Sequence, residues 1–250
     1  MKEPAKRHEI TEDWVVYMLN EYENKIDNGV NHVTIKSFDI GKATKPGDGF
    51  TGDLMKLDIT ATVHYDGERA PNEKIYNLIV KLANPNPVLL VMQTVFGQNM
   101  RENMAYSAVI AEFNKFQARL TNNKFPIRIP EYIYGKCTGN EFVLVMQNMK
   151  ICDFDTNNKM EPMNVHQVKM ILEQLARVHA ISYAYDKKYD FLKIYPCYTM
   201  ENIKPVLNIG TSTLYDLVVE YVGTLQGRET LLRKIIAAKS TVLKKKLRGI

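Results

Sequence analysis

Residues 55–82 read MKLDITATVHYDGERAPNEKIYNLIVKL, and their pattern decides the architecture. Met55, Leu57, Ile59, Ala61, Val63 and Tyr65 alternate with Lys56, Asp58, Thr60, Thr62 and His64. A period of two with one polar side predicts a strand buried on one face and wet on the other. Asp66-Gly67 begins a longer hairpin loop, and Lys74 to Leu82 predicts the next strand, closed by Pro85 and Pro87. Upstream, Thr11 can cap a helix carrying Trp14, Val15, Met18, Leu19, Tyr22 and Ile26 at helical spacing, stopped at Asn28-Gly29. A strand follows at about 33–40. Downstream, residues 88–120 are helical in pattern with a break at Gly97, since glycine costs about 1 kcal/mol against alanine inside a helix. Strands are predicted at 131–136 and 141–147, then a polar loop to about 163. A helix with Val165, Val168, Ile171, Leu172, Leu175, Val178, His179 and Ser182 on one stripe comes next, and two more helices, about 212–223 and 228–247, complete the chain. The order is α+β: an antiparallel sheet first, a helical layer after it. The division this suggests is 1–147 and 148–250.

Composition narrows the class. With 250 residues, 45% hydrophobic and 24% charged, the chain can bury a core without staples, which excludes a disordered, collagen-like or disulfide-rich protein. The three cysteines, Cys137, Cys152 and Cys197, are odd in number and form no CxxC pair, so reduced thiols in a cytoplasmic protein are expected. The N-terminus lacks the apolar core of a signal peptide, and no apolar run reaches the length of a membrane span. The net charge of +5 is misleading. Residues 228–250 hold eight basic residues against one acid, so the rest of the chain is slightly acidic. No nucleic-acid partner is expected, and the tail around Lys244-Lys245-Lys246 reads as a solvated helix end.

Three features carry possible chemistry. Gly47-Asp48-Gly49-Phe50-Thr51-Gly52 lies between two strands, where glycines would let backbone N–H groups approach phosphate oxygens; a plain hairpin turn explains it as well. Lys81 ends an apolar strand, Leu78-Ile79-Val80-Lys81-Leu82, so its ammonium must snorkel to water or meet an acid. The following helix offers Glu102, and a strand lysine paired to a helix glutamate is the phosphate-positioning pair of kinase folds. An edge lysine in water and a surface glutamate are the alternative. His64-Tyr65-Asp66 has the letters of a catalytic loop but precedes Lys81, the wrong order. Asp153-Phe154-Asp155 lacks the glycine and glutamate of a calcium loop and reads as an acidic surface loop. His179 is expected to be buried and hydrogen-bonded, and Met146, Met149, Met160, Met163 and Met170 to serve packing.

Taken together, Lys45-Pro46-Gly47-Asp48-Gly49, Leu78-Ile79-Val80-Lys81, Glu102-x-x-x-Tyr106 with Glu112-Phe113, Leu144-Val145-Met146-Gln147-Asn148-Met149 and Leu175-Ala176-Arg177-Val178-His179-Ala180-Ile181-Ser182 resemble one family. It is the ecdysteroid kinase-like (CHK kinase-like) proteins of insects, relatives of aminoglycoside and choline kinases. The resemblance implies a kinase-like fold, with residues 1–147 as an N-lobe and 148–250 as part of a helical C-lobe. It implies ATP and Mg²⁺, with Lys81 on the phosphates, Glu102 orienting it, Gly47, Gly49 and Gly52 in the loop above them, and the Gln147–Met149 backbone on adenine. Family members usually show an acidic pair where Gln147-Asn148 stands.

The family's catalytic His-Gly-Asp and its later magnesium-binding Asp find no match. None of His8, His32, His64, His166 and His179 precedes Gly-Asp. The chain is therefore expected to be truncated before the catalytic loop. Two functions follow as expectations. One is part of a phosphotransferase acting on a steroid- or choline-like hydroxyl, inactive alone. The other is a non-catalytic relative that binds nucleotide, a small molecule or a partner protein.

Overall fold

The N-terminal helix α1 (Glu12–Ile26) begins where the sequence predicts, with the Thr11 hydroxyl accepting from the Trp14 N–H at 3.3 Å. The computed structural model describes residues 1–43, 52–138, 141–155, 157–158, 160–199 and 204–247, and its contacts divide the chain into two units, Met1–Cys197 and Tyr198–Ile250.

In the first unit α1 is followed by β1 (Val30–Lys42), β2 (Asp53–Tyr65) and β3 (Asn72–Leu82). Next come α2 (Pro87–Val95), α3 (Gln98–Met104) and α4 (Ile110–Thr121), then β4 (Tyr132–Thr138), β5 (Glu141–Gln147), the long α5 (Val165–Tyr189) and the short α6 (Phe191–Ile194). Gly97 separates α2 from α3 with φ +62°, a conformation that costs a side-chain-bearing residue about 1–2 kcal/mol. Between α3 and α4, Ala105–Val109 winds as a π-turn in which the Ile110 N–H reaches the Ala105 carbonyl. Such a turn holds one residue more than the α-helix around it.

The five strands form one antiparallel sheet in the order β1-β2-β3-β5-β4. Alternation gives it two distinct faces. One carries Leu57, Ile59, Ala61 and Val63 of β2, Leu78, Val80 and Leu82 of β3, and Val143 and Val145 of β5. Trp14, Val15, Met18 and Leu19 of α1 join these residues in a single core. Two buried carboxylates help to hold the N-terminal segment there. Glu23 accepts from the Tyr76 hydroxyl and the Lys74 ammonium, both at 2.7 Å. Glu3 accepts from Trp14 Nε1 at 3.1 Å, the Tyr134 hydroxyl at 2.8 Å and Lys136 Nζ at 3.2 Å. The other face bears the row Leu54, Lys81, Leu144 and Gly135, paired residue to residue across β2, β3, β5 and β4.

Helix α5 meets α4 through an aromatic cluster, Phe113 and Phe116 against Tyr185 and Tyr189. Towards its N-terminus the apolar stripe is uncovered, with Val165, Ile171 and Leu172 all at least half exposed. His179 is exposed and not buried as expected, and Met160, Met163 and Met170 are exposed too. Periodicity reports which side of a helix is apolar, not whether anything covers it. In the second unit α7 (Lys204–Gly223) starts about two turns before its predicted position, and α8 (Glu229–Leu247) packs against it, with an ion pair between Lys239 and Asp216.

Candidate functional site

Lys81 stands at the second-to-last position of β3, on the face opposite the main core. Its neighbours in the row, Leu54 and Leu144, are apolar. An ammonium in that setting needs a counter-charge, and Glu102 of α3 supplies it. Lys81 Nζ donates to both carboxylate oxygens, at 2.7 Å to Oε1 and 2.6 Å to Oε2. The side chain of Lys81 is 9% exposed and that of Glu102 is 26% exposed, so the pair opens to water on the glutamate side. The sequence left two options for this lysine; the structure gives it the acid. Four residues along α3 and its continuation, Tyr106 is half-buried, and its burial, with the Glu102 charge beside it, pushes its phenol up.

Gly52 lies immediately before β2 and presses on this lysine. A Cβ there would sit 2.7 Å from the Leu82 carbonyl oxygen and 3.0 Å from Lys81 Cε. The bare backbone can lie on the lysine stem, and no larger residue fits without moving the strand. Gly47 and Gly49, in the same predicted loop, lie outside the described residues.

At the far end of β5 the chain turns sharply. The Gln147 N–H donates to the Glu131 carbonyl at 2.9 Å, and the Asn148 N–H to the Asn77 carbonyl at 2.9 Å. The Asn148 side chain caps a 3₁₀ turn, Met149–Cys152, accepting from the Lys150 N–H at 3.2 Å. The Met149 carbonyl accepts from the Phe154 N–H at 3.2 Å. Gln147 and Met149 are therefore at the mouth of the strand that also carries Leu144, Lys81's neighbour, but two of their backbone groups are already engaged.

The decoys fall where their chemistry is idle. His64 stacks on His32 with ring centroids 4.3 Å apart, and its Nε2 lies 3.0 Å from the Thr34 hydroxyl. Asp153 follows the 3₁₀ turn in an exposed loop. Among the described residues no three His, Cys, Asp or Glu side chains converge on one point. No helix among them is long and apolar enough to cross a membrane.

Two residues beside the pair escaped the sequence reading. Gly135, in the same row as Lys81, and Asn103, next to Glu102, face each other across the sheet–helix boundary. Neither residue type signals function by itself; only the strand register and the helix position bring them to the site.

Residues 46–246 match the family model described as the ecdysteroid kinase-like family. No curated protein and no solved structure matches the chain.

Proposed function

The chain belongs to the ecdysteroid kinase-like family, and from that premise we propose that it binds ATP on the sheet face that carries Lys81. The single observation behind this is the Lys81–Glu102 pair. A cation held against an apolar row, with its glutamate facing water, is a fixed point charge for phosphate oxygens. Gly52, where a Cβ cannot be placed, allows the backbone to approach from above, and the glycines at 47 and 49 belong to the same loop in this reading. The Gln147–Met149 segment is assigned to adenine. It begins three residues along β5 from Leu144, about 10 Å in strand geometry, a span suited to a base and its phosphates.

The reaction class is transfer of the ATP γ-phosphoryl group to a hydroxyl of a steroid- or choline-like small molecule, with Mg²⁺ as the usual partner of the nucleotide. These 250 residues contain no His-Gly-Asp. Without a base for the acceptor hydroxyl or a metal clamp on the phosphates, transfer by this stretch alone is negligible. What its own residues do is bind and orient. The second reading is a non-catalytic nucleotide- or small-molecule-binding relative or an interaction protein, favoured by the missing His-Gly-Asp. Three free cysteines fit a cytoplasmic setting.

Isothermal titration with Mg·ATP tests the proposal. Lys81→Met should weaken binding by about tenfold or more, the loss of a charge-assisted contact. Equal affinity of the variant and the parent chain would remove the nucleotide reading. A phosphotransfer assay with ecdysteroid and choline acceptors decides between the two functions: robust turnover abolished by Lys81→Met would overturn the non-catalytic one.

A further inference from the structure

Helix α3 packs against β4 and touches both ends of the row that runs from Lys81 through Leu144 to Gly135. Two successive residues of the helix reach down to it. Glu102 meets Lys81, and Asn103, about 100° further round the helix, meets Gly135. A Cβ on Gly135 would fall well inside van der Waals contact with Asn103 Oδ1, and would lie 3.1 Å from Tyr132 Cε2 and 3.2 Å from the Tyr132 hydroxyl. The Tyr132 hydroxyl in turn donates to the Gly135 carbonyl at 3.3 Å. Asn103 Oδ1 is buried and accepts no hydrogen bond from the described residues. Gly135 does not have the left-handed backbone that would require glycine, so what its missing side chain provides is room. On its other side α3 is tied down by Arg101, whose Nε donates to the Cys197 carbonyl at 3.0 Å. The Asn103 side chain thus fills the space that a side chain on Gly135 would take.

We propose that Gly135 is a positioning residue for the Lys81–Glu102 pair: its empty side-chain position lets Asn103 seat α3 on β4, at the height where Glu102 reaches the ammonium. A side chain at 135 lifts the helix. A displacement on the order of 1 Å suffices, because hydrogen-bonded pairs weaken steeply beyond 2.7–3.2 Å. The consequence for nucleotide binding rests on the function proposed above; the consequence for the ion pair does not.

The test reads the lysine itself. Intact folded protein is acetylated briefly with N-hydroxysuccinimidyl acetate, and labelling at Lys81 is measured by mass spectrometry relative to the exposed Lys115. Gly135→Ala should raise the relative rate at Lys81 about tenfold, and adding Asn103→Ala should return it to within about twofold of the parent. In a Glu102→Gln background, where the pair is already weakened, Gly135→Ala should add nothing. A role in stability alone predicts that the second truncation worsens the first. Unchanged labelling in a folded Gly135→Ala protein overturns the proposal, as does failure of Asn103→Ala to rescue. If Gly135→Ala does not fold, Asn103→Gln, which lengthens the helix side of the same contact, must raise the labelling; no change there overturns it equally. Mg·ATP titration of the same variants separates the two claims. Labelling that follows the expected pattern while ATP affinity stays constant preserves the positioning role and defeats the nucleotide reading.

Discussion

A carboxylate taken out of water must be repaid with hydrogen bonds, and Glu23 is 1% exposed. Its two oxygens accept from Tyr76 and Lys74, one hydroxyl and one ammonium, linking α1 to β3. Glu23→Ala removes both acceptors and strands the Tyr76 hydroxyl, itself 8% exposed, while Lys74 can turn to solvent. The expected loss is about 2–3 kcal/mol, read as a lowered urea midpoint with unchanged m-value. Glu23→Gln keeps an acceptor and should cost less. Lys81 and Glu102 follow the same logic at a half-open site. The difference is that the glutamate of that pair still sees water.

Among the elements, the segment from α2 to α4 is the most informative. Gly97 was legible in the sequence as a break, because a lone glycine in an apolar helical run is a weak point, and the structure adds a second reason, its left-handed φ of +62°. Gly97→Ala should cost about 1–2 kcal/mol through the strained left-handed residue, a lowered melting temperature that Gly97→Asn should partly avoid. The strands from 53 to 82 were legible as well, since their alternation mirrors the buried and open faces of β2 residue by residue. The Lys81–Glu102 pairing was visible as a possibility, because only two fates exist for a cation in an apolar strand. Gly135 and Asn103 were not legible, because 32 positions separate them and nothing local marks either; β-register and helix seating had to be known first. The stripe of α5 misled in the opposite way. Its pattern is real, but Val165, Ile171 and Leu172 are at least half exposed, and His179 is exposed with them. The π-turn at Ala105–Val109 left no trace in the residue pattern at all.

At the scale of the molecule, three phenols link distant parts of the first unit to acids, the buried Glu23 and Glu3 and the exposed Glu131. Tyr22 donates to Glu131 at 2.6 Å, Tyr76 to Glu23 and Tyr134 to Glu3. Burial first, and then the bonded carboxylate, pushes each of these phenols well above its ordinary value. Their folded values are raised, so the folded state holds these protons after the unfolded chain has released them. The stabilisation is complete below about pH 10, where a free tyrosine titrates, and is lost as pH rises beyond it. The urea midpoint should therefore fall steeply above about pH 10, with phenolate absorbance from these residues appearing only as the protein unfolds. Tyr76→Phe should flatten that decline; an equally steep curve would assign the alkaline loss to other groups. Glu3 adds a matter of timing. Its partners at 134 and 136 leave the ribosome more than a hundred residues after it does, on the order of ten seconds later at ordinary elongation rates. For that interval Glu3 is a carboxylate without its phenol or its ammonium, and the clasp between the two ends of this fold closes only when β4 has emerged.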